Sequence, residues 1–160
     1  NAVRRANPKT TLETLIPDFQ GNEKQIDRII KVAPEVVSHN METVRRLTRE
    51  VRIQAKYDRS LGVLKYLKQN GMRTKSGIML GLGETEEEVI QTMKDLRNVG
   101  LDVITIGQYL QPSKKHLPVK EFITPTQFKK YETLGLEMGF MYVESGALVR
   151  SSYKAHKHAN

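Results

Sequence analysis

Residues 76–84, SGIMLGLGE, form an apolar strand that runs straight into spaced glycines and a carboxylate, and residues 85–88, TEEE, then start a helix. Strand, tight turn and helix recur along the chain. Strands separated by single amphipathic helices build βαβ units around a parallel sheet. Gly77, Gly81 and Gly83 carry no Cβ, so a flat ligand can lie against bare backbone at the strand's carboxyl end. Ligands of α/β sheets and barrels sit at that end. The same glycines also suit a plain βα turn, and a short glycine motif alone does not choose between the two.

The rest of the chain follows the same alternation. Strands are expected at 12–16, 35–39, 73–80, 102–108 and 140–144. Pro17 stops the first. Asn22 is placed to cap a helix with Ile26, Ile29, Ile30 and Ala33 inward, ending before Pro34. A second helix opens at Asp58 or Ser60, carries Leu61, Leu64 and Leu67, and closes at Asn70-Gly71. Thr85 and Glu88 make a capping box for a third, with Val89, Met93, Leu96 and Val99 inward and Gly100 at its end. Thr124-Pro125 starts a fourth, with Phe128, Tyr131, Leu134 and Met138 inward. Five strands are too few to close an eight-stranded barrel. The opening NAVRRANP reads as the last turn of a helix with no initiator Met, so the chain is expected to be the C-terminal part of a longer α/β barrel.

Composition narrows the function classes. With 38% hydrophobic and 28% charged residues in 160, the chain suits one globular domain with a real core. No apolar run is long enough to span a bilayer and the N-terminus has no secretory h-region, so a cytoplasmic protein with no membrane partner is expected. There is no cysteine, hence no disulfide and no thiolate metal site within this chain. The net charge of +8 attracts acidic partners. The absence of Trp and the few aromatics speak against base stacking, so no nucleic-acid partner is expected.

Four polar clusters follow strand ends. Asn40 and Glu42 are two apart and face the same side if the chain stays extended; an amide and a carboxylate suit a ribose diol. They equally suit a helix N-terminus, with Asn40 as cap. Gln108 and Tyr109 open a polar loop where a barrel's ligand loops belong. Lys114, Lys115 and His116 follow as a basic surface loop, and His156 and His158 read as tail residues. Arg150, Ser151, Ser152 and Tyr153 read as a turn, a cap or a phosphate-binding nest.

Taken together, LIPDFQGN, VVSHNMETV, TKSGIMLGLGETEEEV, DLRNVGLDVITIGQYLQPSKKHLPV and GFMYVESGALVRSSYKAH resemble the C-terminal half of the lipoyl synthases, a family of radical S-adenosylmethionine (SAM) enzymes. The segments stand in family order and cover essentially the whole chain. GQYLQPS combined with RSSY is the specific signature. The resemblance implies an α/β fold, the C-terminal part of a partial (β/α) radical-SAM-type TIM barrel. Residues 1–160 belong to that single domain, and 145–160 are its RSSY-bearing C-terminal segment.

It also implies a sulfurtransferase reaction. Two sulfur atoms are inserted at C6 and C8 of an octanoyl group held on a lipoyl carrier domain. One 4Fe-4S cluster reduces SAM to a 5′-deoxyadenosyl radical, and a second, auxiliary 4Fe-4S cluster donates the sulfur. Such a radical needs a dry, closed site. The implied partners are the octanoylated carrier domain, an acidic protein, and an electron donor such as ferredoxin or flavodoxin. Arg4, Arg5, Lys114, Lys115 and His116 would form the carrier's docking rim.

Residue by residue, Ser76, Gly77, Gly81, Gly83 and Glu84 fall in the SAM-adenine segment, and Asn40 and Glu42 match the ribose-binding pair. Arg52 would meet the carboxylate of SAM. Gln108 and Tyr109 complete the cofactor-binding set, and Ser152, or Ser151, would be an oxygen ligand of the auxiliary cluster. Ser38 stands where the wider group has Asn. The family's two cysteine triads are missing, so this chain is expected to hold neither cluster and to be inactive alone; no catalytic residue is assigned within it. Two other readings carry different consequences: a biotin-synthase-like radical SAM enzyme, which RSSY disfavours, and a non-catalytic basic α/β module that binds an acidic protein.

Overall fold

The computed structural model describes residues 2–159. Five strands, β1 Glu13–Leu15, β2 Val36–Ser38, β3 Thr74–Leu80, β4 Val103–Gln108 and β5 Tyr142–Gly146, form one all-parallel sheet in sequential order. The helices are α1 Ala2–Ala6, α2 Glu23–Ile30, α3 Thr48–Val51, α4 Tyr57–Gln69, α5 Glu86–Asn98, α6 Pro125–Glu137 and α7 Ala155–His158, with a 3-10 turn at Phe19–Gly21. Sequential parallel order is the arrangement of a barrel wall, and five strands make a partial one.

Local sequence explains the larger helices. Thr85 accepts the Glu88 amide while the Glu88 carboxylate accepts the Thr85 amide, so α5 starts on a complete capping box. Val89, Met93 and Leu96 then fall on one face and are fully buried. Gly100, at φ 85°, takes the left-handed turn that ends this helix and feeds β4. Thr124 accepts the Gln127 amide and Pro125 occupies the first turn, fixing the start of α6. Burying these stripes against Ile78, Leu80, Ile104, Ile106 and Val143 makes the main core. A second cluster, Ile16, Ile26, Val37, Val63, Leu67 and Met72, seals α2 and α4 onto the β1–β2 side. Truncating Leu64 or Leu67, both fully buried, would cost about 2–5 kcal/mol.

The register sets the other face. Ser38 pairs with Lys75, Lys75 with Val103, and Val103 with Tyr142; Gly77 pairs with Thr105, and Thr105 with Glu144. Paired residues share a face, so these alternate with the helix-facing core and point into the barrel. The C-terminal segment folds back onto that side. Arg73 Nη1 donates to the His158 carbonyl at 2.7 Å, and Lys154 Nζ lies 2.9 Å from the Glu144 carboxylate.

Several expectations change. His158 is not a tail residue: its ring is buried against Tyr142, with centroids 5.2 Å apart, while His156 is exposed. α2 ends at Ile30, and Ala33 is exposed at φ 50°, because the chain must reverse before Pro34. Asn22 sits at the helix start without a side-chain cap bond. The last strand begins at Tyr142 rather than Phe140, since the Phe140 amide is still bonded to the Gly135 carbonyl of α6. Arg4 pairs with Glu35 ahead of β2, whereas Lys114, Lys115 and His116 follow the far end of β4, so the basic residues do not form one rim. Among the described residues no helix is long and apolar enough to cross a membrane.

Candidate functional site

A cavity of about 440 Å³ opens over the carboxyl ends of β2, β3 and β4. Its floor is β3. Gly77 leaves a bare patch of backbone where an added Cβ would sit 2.7 Å from Thr105 Oγ1 and 3.2 Å from Asn40 Oδ1. That patch lets a planar group approach the strand itself.

Beyond β2 the chain does not turn into a helix. The Glu42 amide donates to the Gly77 carbonyl at 2.9 Å and the Met79 amide to the Glu42 carbonyl at 2.8 Å, so residues 40–42 continue alongside β3. Ser76 Oγ accepts the Met41 amide at 3.1 Å and bridges the step between the two pairings. Glu42 adopts φ 67° there. Asn40 and Glu42 both line the cavity, but Glu42 does so from a left-handed backbone rather than from the fully extended chain expected. Asn40 Oδ1 is buried with no hydrogen-bond partner. An orphaned buried acceptor costs about 1–3 kcal/mol unless a donor arrives.

The glycine turn after β3 is braced from both sides. The Glu84 carboxylate accepts the amides of Gly81 and Leu82. Arg46 donates to the Gly83 carbonyl at 2.8 Å and pairs with Glu88 at 2.7 Å. Glu84 thus shapes the turn. Gly83 is exposed, and a Cβ on Gly81 would run into the Glu121 carbonyl and the Gln108 amide.

Gln108 and Tyr109 pin the loop that walls the cavity. Gln108 Nε2 lies 3.1, 3.0 and 3.0 Å from the carbonyls of Leu80, Tyr109 and Glu121, and its Oε1 accepts the Ile123 amide at 2.9 Å. The Tyr109 hydroxyl donates to the Leu117 carbonyl at 2.9 Å. Gln108 lines the cavity together with Leu110, Gln111 and Pro112, whereas Tyr109 does not. Val149, Arg150 and Ser151 complete the lining, and Gly107 admits them, because a Cβ there would strike the Val149 carbonyl. Of the two serines, Ser151 lines the cavity and Ser152 is exposed.

Arg52 lies outside this cavity, in an adjoining groove of about 620 Å³ with Pro17, Asp18, Gln20 and Arg59. It donates to the Met41 carbonyl at 3.3 Å and to Ser60 Oγ at 3.2 Å. Burial lowers its pKa, and the Glu42 carboxylate opposes that shift. His39, also buried, joins the same cluster through Ser60, 2.9 Å from its Nε2.

Reading the sequence missed Thr105 and His39, and it missed the charged residues Lys75 and Glu13 inside the barrel. Counting by twos back and forward from Gly77 selects Lys75 and Met79, so part of that signal was present. His39 gave no local sign.

An orphaned amide oxygen, a carboxylate, a hydroxyl and a bare strand suit a ligand with a hydroxylated sugar and a flat base, and SAM fits that set. Iron–sulfur clusters do not fit this chain by itself: it has no cysteine, and no three His, Cys, Asp or Glu residues gather as a metal site among the described residues.

The profile of the Radical SAM superfamily matches residues 2–96. Lipoyl synthase of Christiangramia forsetii is 82% identical over 160 residues, 99% of this chain and 55% of the relative. Lipoyl synthase of Flavobacterium johnsoniae is 78% identical across 98% of this chain and 55% of the relative. The mitochondrial lipoyl synthase of Nematostella vectensis is 75% identical across 98% and 54%. The chain therefore spans about half the length of the curated relatives it matches. Among solved structures, the radical SAM methyltransferase TsrM of Kitasatospora setae, with cobalamin and a [4Fe-4S] cluster bound, aligns at a TM-score of 0.50 and 15% identity over 66% of this chain and 22% of that one. That likeness concerns the fold.

Proposed function

We propose, on the premise that the chain belongs to the radical SAM superfamily, that it supplies the SAM-facing wall of a lipoyl synthase whose cluster-binding cysteines lie in a separate part of the polypeptide. The observation that carries this reading is the orphaned Asn40 Oδ1 beside Glu42 over the bare backbone of Gly77. A ribose hydroxyl donates to the amide oxygen and a second to the carboxylate, while adenine lies on the strand. High identity to lipoyl synthases supports the same assignment.

In this reading the clusters and SAM supply radical hydrogen abstraction and sulfur. The chain's own residues do the rest. Asn40 and Glu42 orient the sugar. Glu84 and Arg46 hold the glycine turn that ends β3, which lies beyond the cavity lining. Gln108 and Tyr109 keep the residue 110–123 loop closed against water. Ser151 or Ser152 would give an oxygen donor to an auxiliary cluster whose thiolates come from elsewhere in the polypeptide. The substrate would be an octanoyl group on an acidic lipoyl carrier domain, with electrons from a ferredoxin or flavodoxin; the net charge of +8 favours acidic partners of this kind.

The test is anaerobic purification of the protein with its cysteine-bearing part, followed by incubation with SAM, a reductant and an octanoylated carrier domain. We expect bound iron and sulfide, release of 5′-deoxyadenosine and a carrier mass increase matching two sulfurs. Iron-free protein that cleaves no SAM would overturn the assignment.

A further inference from the structure

We propose that His39 and Ser60 are positioning residues that hold the Arg52 guanidinium to receive the carboxylate at the methionine end of SAM. This rests on the SAM site above and deepens it.

The hydrogen bonds around His39 have a fixed direction. Its Nδ1 lies 3.0 Å from the Ile16 carbonyl, which can only accept, so Nδ1 carries the proton. Nε2 then has a lone pair, and the Ser60 hydroxyl 2.9 Å away must donate to it. That leaves the Ser60 oxygen free to accept, and Arg52 Nη1 donates to it at 3.2 Å. The same nitrogen reaches the Met41 carbonyl at 3.3 Å. Neutral His39 thus orients Ser60, and Ser60 orients Arg52. Burial keeps the imidazole below its usual pKa, which favours the neutral ring this chain of bonds requires.

Position and charge identify the ligand chemistry. Met41 lies between Asn40 and Glu42, so its carbonyl tethers the guanidinium one residue from the ribose-binding pair. Two arginines line the adjoining groove. Arg59 is neutralised by Asp18 at 2.6 Å. Arg52 forms no ion pair among the described residues, yet it is half-buried, and only one of its nitrogens meets the acceptors named above. A partly desolvated cation with donors to spare is a receptor for an anion. The anion that must lie a few bonds from a bound ribose in SAM is its α-carboxylate.

The discriminating probe is 5′-methylthioadenosine, which keeps the adenosine and the sulfur and lacks the amino-acid group. Equilibrium binding of SAM and of this analogue is measured on the cluster-loaded protein, unmodified and as Ser60→Ala, His39→Gln and Arg52→Lys. Each change is expected to weaken SAM about tenfold, the loss of one charge-assisted hydrogen bond, while the analogue's affinity stays within about twofold. The analogue also reports that each variant is folded. Parallel weakening of both ligands would make His39 and Ser60 merely structural and overturn the inference, as would unchanged SAM affinity in Ser60→Ala. If the unmodified protein binds neither ligand, the SAM-site reading itself fails. Full SAM affinity in Arg52→Lys with the analogue also bound would leave that reading standing and sink only the role given to Arg52.

Discussion

Lys75 is sealed inside the partial barrel with its ammonium 3.0 Å from the carboxylate of Glu13, two strands away. Ser38, on the strand between them, donates its hydroxyl to the same carboxylate at 2.7 Å. The barrel interior is therefore charged and paired. Removing one partner strands the other without water. Glu13→Ala is expected to cost about 3 kcal/mol, the lower end for a broken buried pair, because Glu13 keeps some solvent contact. The double change Glu13→Leu with Lys75→Met should recover most of that loss. Urea unfolding of the three proteins checks it, and a double variant no more stable than Glu13→Ala would contradict the account.

The α5 capping box gives a smaller, cleaner number. Thr85→Ala leaves the Glu88 amide without its acceptor and should cost about 1 kcal/mol. Arg46→Ala removes a half-exposed ion pair with Glu88 and should cost less, below about 1 kcal/mol. Thermal melts should rank the two in that order. A larger shift for Arg46→Ala would mean that its bond to the Gly83 carbonyl, rather than the cap, sets the turn.

Much of this architecture was legible beforehand, and what was not has physical causes. The strand β3, the cap at Thr85 and the stop at Gly100 are local, each written in a few adjacent residues. Asn40 and Glu42 were recognisable only as a pair that could share a face, and the Ser76 hydroxyl that holds the segment beside β3 comes from another strand. His39 gave no local sign, and although strand alternation marks the face of Lys75, its charge partner could not be read, because the partners lie 21 and 62 residues away. His158 looked like a tail because its shelter, Tyr142 and the barrel wall, exists only after folding.

Acid should loosen the fold around neutral pH. His39 and His158 are both held below the ordinary imidazole value of 6.5, with burial the largest cause for each. A lowered histidine pKa means that the folded state binds fewer protons than the unfolded chain. Stability is therefore full above about pH 6.5 and falls as the pH drops through that value, by up to about 1.4 kcal/mol per pH unit for each histidine. The urea midpoint should decrease between about pH 7.5 and 5.5, and His39→Gln should flatten the decrease. A midpoint independent of pH over that range would contradict it.

Gly77→Ala tests the bare strand. Its methyl would sit 2.7 Å from Thr105 Oγ1 and occupy the space facing Asn40 Oδ1. The backbone there has no left-handed torsion to forbid alanine, but the buried Thr105 hydroxyl must shift to admit the methyl, so a lower melting temperature is expected with the fold retained. SAM binding should fall by at least about tenfold, since the ligand loses its contact with the strand. Paired measurements of melting temperature and SAM affinity separate the effects. A normal affinity would remove β3 from the ligand's path.

Ser151 and Ser152 make the last test, and it distinguishes chemistry from packing. Ser151 lines the cavity; Ser152 is exposed in this conformation. If the cavity-facing hydroxyl binds the auxiliary cluster, and the proposed reaction divides SAM cleavage and sulfur donation between two clusters, Ser151→Ala should abolish sulfur insertion while SAM cleavage to 5′-deoxyadenosine continues. Ser151→Cys replaces a weak oxygen ligand with a thiolate, and tighter ligation should slow sulfur release without loss of iron. Ser152→Ala should then be close to neutral. Product mass spectrometry with iron counting reads all three. The reverse ranking would contradict the assignment to Ser151 and give the ligand role to Ser152.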